Sequence, residues 1–101
     1  MPHYFYLARC RDGSLYAGSC IDLQTRERLH NEGKGAKYTR SRRPIRFVYH
    51  ERFTTLSASR RREAQVKTWV KAEKEKLISS REVLLSHNRK RRPRAGNPPL
   101  D

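Results

Sequence analysis

Residues 3–20 spell a β-hairpin, and the length of its loop decides which side chains can meet. From His3 to Cys10 the residues alternate as a strand does, with Tyr4, Tyr6 and Ala8 on one face and Phe5 and Leu7 on the other. Leu15 to Cys20 reads as a second strand, and Asp12-Gly13 between them is a turn signal. A two-residue loop would pair Arg11 with Ser14 and send Tyr6 and Tyr16 to opposite faces, because side chains alternate with period two. A three-residue loop, Arg11-Asp12-Gly13, puts glycine where a left-handed residue is needed. It pairs Cys10 with Ser14, Ala8 with Tyr16, and Tyr6 with Gly18. Both tyrosines then share a face as diagonal neighbours. Gly18, opposite Tyr6, is expected to leave open space for a ligand's backbone. Taken alone, the spacing suits ordinary sheet aromatics under a helix better than it suits a reactive site.

Downstream, Asp22 can cap a helix running to about Glu32, which Gly33 can end. Residues 35–42 look like a short basic helix stopped before Pro44. Arg46 to Phe53 alternates again as a third strand, with Phe47, Tyr49 and Phe53 expected on one face. Ser57 can cap a long helix reaching about Ile78, whose apolar stripe is Val66, Trp69, Val70 and Leu77. The order is ββα(α)βα. It predicts an α+β domain with a small three-stranded, mostly antiparallel sheet flanked by helices, which the strands need for stability. Residues 1–80 form that domain. Residues 81–101, with the run Asn88 to Arg94 and then Ala95 to Pro99, have too little apolar surface to offset ordering entropy and read as a disordered basic tail.

Charge narrows the partners. The chain carries 24 Lys/Arg against 10 Asp/Glu, a net +14. Residues 1–80 alone hold 18 against 8, so the domain itself is basic and suited to a polyanion such as nucleic acid. The two cysteines, Cys10 and Cys20, lack zinc-site spacing and read as small half-buried residues of a reduced cytoplasmic protein. No secretory or transmembrane run is visible, so no membrane partner is expected. A glycine-rich phosphate loop, a Ser/His/Asp set and a two-metal carboxylate cluster are also missing.

A few residues stand out chemically. Arg26 and His30 are four apart and share a helix face. The guanidinium fork can hold a phosphate, and the imidazole can donate to the same anion or orient a tyrosine hydroxyl. Glu63 follows three arginines, borders the Val66/Val70 stripe, and has Lys67 one turn on. A carboxylate there needs a partner, either Lys67 or a hard cation such as Mg²⁺, which often takes one or two protein carboxylates beside phosphate and water.

Tyr4-Phe5-Tyr6, Tyr16-Ala17-Gly18, Arg26, His30, Glu63 and the segment Gly33 to Arg40 together resemble the GIY-YIG nucleases, specifically their small stand-alone bacterial members. The resemblance covers roughly residues 3 to 78. Neither triplet is the literal family motif, and Glu27 and Arg60 stand where leucines are expected. The resemblance implies a metal-dependent endonuclease that hydrolyses DNA phosphodiester bonds, of the structure-selective repair or recombination type. Its catalytic residues would be Tyr6, Tyr16, Arg26, His30 and Glu63. Glu63 would ligate one divalent metal, Mg²⁺ or Mn²⁺, Arg26 would brace the phosphate, and one of the two tyrosines, Tyr6 in preference to Tyr16, would help deprotonate the attacking water. Holding an ordinary tyrosine as phenolate at neutral pH costs about 4 kcal/mol. Nucleic acid would be gripped by Gly18, Lys34, Lys37, Tyr38, Arg40 and Lys67. The alternative from another class is a non-catalytic DNA- or RNA-binding module on the same fold.

Overall fold

The computed structural model describes residues 2–80. The hairpin strands are β1 (His3–Arg9) and β2 (Leu15–Cys20). Their register is the three-residue-loop one, Tyr6 opposite Gly18 and Ala8 opposite Tyr16. The turn is closed by Cys10 N–H donating to Ser14 O at 2.9 Å and Gly13 N–H donating to Cys10 O at 2.9 Å, with Gly13 at φ +87°. Asp12 accepts from the Ser14 amide at 3.0 Å on one oxygen and from Arg42 Nε at 3.1 Å on the other, so the turn's carboxylate is already occupied.

Two helices follow, α1 (Leu23–Asn31) and α2 (Lys37–Arg40). Asp22 caps α1 by accepting from the Thr25 amide at 3.0 Å. Gly33, at φ +80°, ends it, with Lys34 N–H reaching back to Leu29 O at 2.9 Å. Strand β3 (Arg46–Phe53) then pairs antiparallel with β1, giving the sheet order β2-β1-β3. Strand β2 is therefore an edge.

Strand β3 departs from simple alternation. Leu7 faces Tyr49 but Ala8 faces Phe47, so Val48 is an extra residue, a β-bulge. The bulge resets the period and places Phe47 and Tyr49 on opposite faces. Tyr49 and Phe53 pack with Phe5 and Leu7, whereas Phe47 packs with Tyr6. The expectation of Phe47, Tyr49 and Phe53 on one face is corrected accordingly. Glu27, one of the two departures from leucine, serves this bulge, since its carboxylate accepts the Phe47 amide at 2.8 Å.

Helix α3 (Leu56–Lys67) is capped by Thr55, whose hydroxyl accepts from the Ala58 amide at 3.1 Å, rather than by Ser57. It also stops at Lys67 instead of reaching Ile78. Thr68 turns its hydroxyl onto Gln65 O at 2.7 Å, and Trp69 N–H bonds Val66 O at 3.0 Å, tightening the last turn. A further helix, α4 (71–80), starts from Val70, whose carbonyl accepts the amides of Glu73 and Lys74. Val70 is thus 65% exposed and leaves the expected apolar stripe. The break frees the chain to bury Ile78 and pack Leu77 on the same core. Arg9 fixes α4 to β1 through two contacts with Glu75, at 2.6 and 2.8 Å.

The sheet thus has two packed faces. Phe5, Leu7, Leu15 and Ala17 lie against Val66 and Ile78 of α3 and α4, with Trp69 half-buried beside them. Tyr6, Ala8, Cys10 and Cys20 lie on the other face with Ile45, Leu23 and Phe47. Cys10 and Cys20 are buried and free. Among the described residues no helix is long and apolar enough to cross a membrane. The expected disordered tail, 81–101, lies outside the described residues.

Candidate active site

The two packed faces come together at the exposed edge of β2. Tyr16 and Gly18 point toward the α1 side, while Ser19 between Gly18 and Cys20 points to α3, where its hydroxyl donates to Glu63 at 2.8 Å. A cavity of about 690 Å³ wraps this edge, and it is lined by Tyr6, Tyr16, Gly18, Arg26, His30, Lys34, Glu63 and Lys67, with Ser19, Gly35, Ala36, Arg60 and Ala64.

Tyr6 is the innermost member, 1% exposed and stacked on Phe47 with ring centroids 4.1 Å apart. Its hydroxyl is hydrogen-bonded to His30 Nε2 at 2.9 Å. The space over Gly18 is filled by this ring. A Cβ at residue 18 would lie 2.6 Å from Tyr6 Cζ, so the expected gap for a ligand's backbone is instead the seat of Tyr6. His30, also 1% exposed, bonds Thr39 Oγ1 through Nδ1 at 2.8 Å. Thr39 in turn donates to Ala36 O at 2.9 Å. Gly35 lies flat on the imidazole, where a Cβ would come within 2.7 Å of Cε1. The link between α1 and α2 is therefore shaped around one histidine.

Electrostatics follow from burial. Desolvation raises the Tyr6 hydroxyl well above the ordinary tyrosine range, with nearby Tyr16 adding to the effect and Arg26 opposing it. Burial, then the Arg26 charge, lowers His30 below its usual value, so it is neutral at physiological pH. A free phenolate at Tyr6 is strongly disfavoured, whereas a neutral acceptor sits directly on its hydroxyl.

Tyr16 lies beside this pair, 5.7 Å from the His30 ring and stacked on Tyr38 at 5.9 Å. Lys67 Nζ is 5.8 Å from the Tyr16 ring centroid. The Glu63 carboxylate faces the cavity, taking Ser19 on one oxygen and Lys67 Nζ on the other at 2.9 Å. That hydrogen bond raises Lys67 above its usual range, so it is fully charged. Arg26 also lines the cavity, and among the described residues it forms no salt bridge. Arg60, the second departure from leucine, adds another guanidinium to the wall.

The cavity gathers every sequence-derived catalytic candidate, together with Gly18, Lys34 and Lys67. Lys37, Tyr38 and Arg40 lie on the exposed surface of α2 outside its lining. Tyr38 has Tyr16 stacked against its ring and Arg42 over it at 3.9 Å from the ring centroid, so it braces Tyr16. Sequence reasoning missed Ser19 and Thr39. Each carried a faint signal: Ser19 neighbours Gly18 on the edge strand, and Thr39 is the one β-branched hydroxyl in the basic stretch Gly33 to Arg40.

A metal would find one carboxylate here. Among the described residues no group of three or more His, Cys, Asp or Glu side chains is placed to hold one. Glu63 with the Ser19 hydroxyl fits a hard cation that draws its remaining ligands from water and a bound phosphate, and does not fit a softer, fully protein-ligated metal.

Comparison with known proteins gives a consistent relationship. The model of the GIY-YIG catalytic domain matches residues 2–76. A UPF0213 protein of Bacillus pumilus is 49% identical over 81 residues, covering 80% of this chain and 83% of its own length. One from Staphylococcus saprophyticus is 49% identical over 77 residues, covering 76% and 94%. The solution NMR structure of a UPF0213 protein from Bacillus halodurans superposes with a TM-score of 0.51 at 43% identity, covering 78% of this chain and 84% of that one. That of an E. faecalis protein reaches 0.56 at 35% identity, covering 82% and 88%.

Proposed function

Since the chain belongs to the GIY-YIG catalytic-domain family, a nuclease superfamily, we propose that it is a metal-dependent endonuclease that hydrolyses phosphodiester bonds of DNA, with selectivity for DNA structure. The observation that carries this reading is the meeting of Glu63, Arg26 and the Tyr6–His30 pair in one basic cavity. Glu63 would hold one divalent cation, Mg²⁺ or Mn²⁺, with Ser19 orienting its carboxylate. The chemistry such an ion supplies when bound is neutralisation of charge on the phosphate and activation of water. Lys67, paired with Glu63 at 2.9 Å, would serve the phosphate instead if Glu63 held the cation.

Arg26 binds the scissile phosphate through its planar fork. Tyr6 Oη takes the proton of the attacking water while its own proton moves to His30 Nε2, 2.9 Å away. This arrangement avoids a standing phenolate, which burial makes costly at Tyr6. Tyr16, held between Lys67 and Tyr38, orders the phosphate's other side. Lys34 and Gly18 in the cavity, and Lys37, Tyr38 and Arg40 on the adjoining α2 surface, carry the flanking nucleic acid.

The test is a nicking assay on supercoiled plasmid and on branched DNA, with and without Mg²⁺. Metal-dependent cuts, faster on the branched substrate, support the reading. Binding without cutting at any metal concentration would instead make the chain a nucleic-acid-binding module.

A further inference from the structure

We propose that Thr39 is a positioning residue for the reaction: it locks His30 in the tautomer protonated at Nδ1, leaving Nε2 bare to receive the proton of Tyr6. The inference rests on the nuclease reading for its consequence, though not for its geometry.

Three bonds in series define the polarity. Thr39 has one hydroxyl proton, and its oxygen lies 2.9 Å from Ala36 O, which can only accept, and 2.8 Å from His30 Nδ1. The proton directed to Ala36 leaves Thr39 Oγ1 as an acceptor, and Nδ1 must donate to it. The far end accommodates the same answer. Tyr6 is 1% exposed, and among the described residues His30 Nε2 is the side-chain partner of its hydroxyl. With Nε2 bare the Tyr6 O–H donates inward to the imidazole, whereas a protonated Nε2 would turn that proton out toward the cavity that Tyr6 lines. The Thr39 end therefore selects Nδ1–H, and the Tyr6 end is compatible with it.

The surroundings hold the arrangement still. Thr39 is fully buried, and Gly35 approaches the ring so closely that a Cβ there would clash with it. Helix α2, only four residues long, thereby acquires a purpose beyond its surface charges: it delivers one hydroxyl to the back of the imidazole. Setting the tautomer matters because the ring can take a proton only at a bare nitrogen. Losing the group that sets the tautomer of a catalytic imidazole removes much of a general-base contribution worth about 10²–10⁴-fold.

The test reads the tautomer directly and then its consequence. Long-range ¹H–¹⁵N correlation on the ¹⁵N-labelled full chain, near neutral pH, should show His30 with a protonated Nδ1 and a bare Nε2. A protonated Nε2 in the wild-type protein would overturn the proposal without recourse to any variant. Thr39→Val, close to isosteric, should shift His30 toward the Nε2–H form and lower kcat for DNA nicking by about 10²-fold with KM little changed. Thr39→Ser should restore both. An unchanged tautomer and kcat in Thr39→Val would refute the assignment. If the wild-type protein shows the Nδ1–H form yet cuts no DNA, the geometry of Thr39 stands and the nuclease reading fails.

Discussion

Gly18→Ala should damage this protein more than any other single methyl added to the sheet, because the new Cβ would be driven into Tyr6. It would sit 2.6 Å from Tyr6 Cζ and 3.0 Å from Cε2. The ring is closely held. Phe47 is stacked on it with centroids 4.1 Å apart, and the β1–β2 ladder fixes both backbones opposite one another. Overpacking of this kind costs about 1–3 kcal/mol. If the ring swings aside, its bond to His30 breaks and leaves buried polar groups unsatisfied, adding about 1–3 kcal/mol. A total near ~3 kcal/mol should lower the melting temperature of a domain this size by at least about 10 °C. Gly13→Ala is the control. Nothing lies within 4 Å of its Cβ, and its cost comes only from φ +87°. Thermal melts followed by circular dichroism, with nicking assays on the folded variants, make the comparison. Gly18→Ala should lose both stability and cleavage, and Gly13→Ala only some stability. A Gly18→Ala variant that melts within about 2 °C of wild type would refute the seat assigned to Tyr6.

Two further outcomes follow from the charges. His30 has its pKa lowered from 6.5 on folding, so the unfolded chain takes up the proton first. Its contribution is therefore fully present above about pH 6.5 and is lost as pH falls through the folded value, with a slope of at most about 1.4 kcal/mol per pH unit. Urea midpoints from pH 7.5 down to 5 should fall more steeply for wild type than for His30→Gln, and equal slopes would mean that His30 is not held neutral. Removing residues 81–101 takes away five basic residues between Arg89 and Arg94. If all five neutralise phosphates, the slope of log affinity against log salt on duplex DNA should flatten by about 4 to 5, and an unchanged slope would show that the folded surface binds alone.

Features set by local chemistry were readable in advance. The three-residue loop, with glycine at its third position, was one of two registers that Asp12-Gly13 offered, and α1 is bounded by Asp22 and Gly33. Arg26 and His30 share a face because four residues make about one helical turn. Features set by pairing were not readable. The bulge at Val48 exists only in the ladder between β1 and β3, so alternation misplaced Phe47. The stripe Val66, Trp69, Val70, Leu77 fits one continuous helix as well as two, and the choice falls to Thr68 and to the burial of Ile78. Ser57 and Thr55 are both competent caps, and the point where β3 ends selects Thr55. Ser19 and Thr39 escaped notice for the same reason. Their partners, Glu63 and His30, lie 44 and 9 residues away, and nothing local announces them. The space at Gly18 was visible, but its occupant was not.

The central claim is that the cavity at the β2 edge cuts DNA through a cation held by Glu63, and a single-turnover measurement tests it most directly. Labelled branched DNA is pre-bound to wild type and to Glu63→Ala in the absence of divalent metal, Mg²⁺ is added, and bound and cut fractions are followed together. Arg26, Lys34, Lys67 and the other cations remain in the variant, so its affinity should stay within a few-fold of wild type. The account predicts cleavage by wild type and none by Glu63→Ala from equally occupied complexes. Cutting at the same rate by both would contradict it and leave Glu63 as no more than the partner of Lys67 and Ser19.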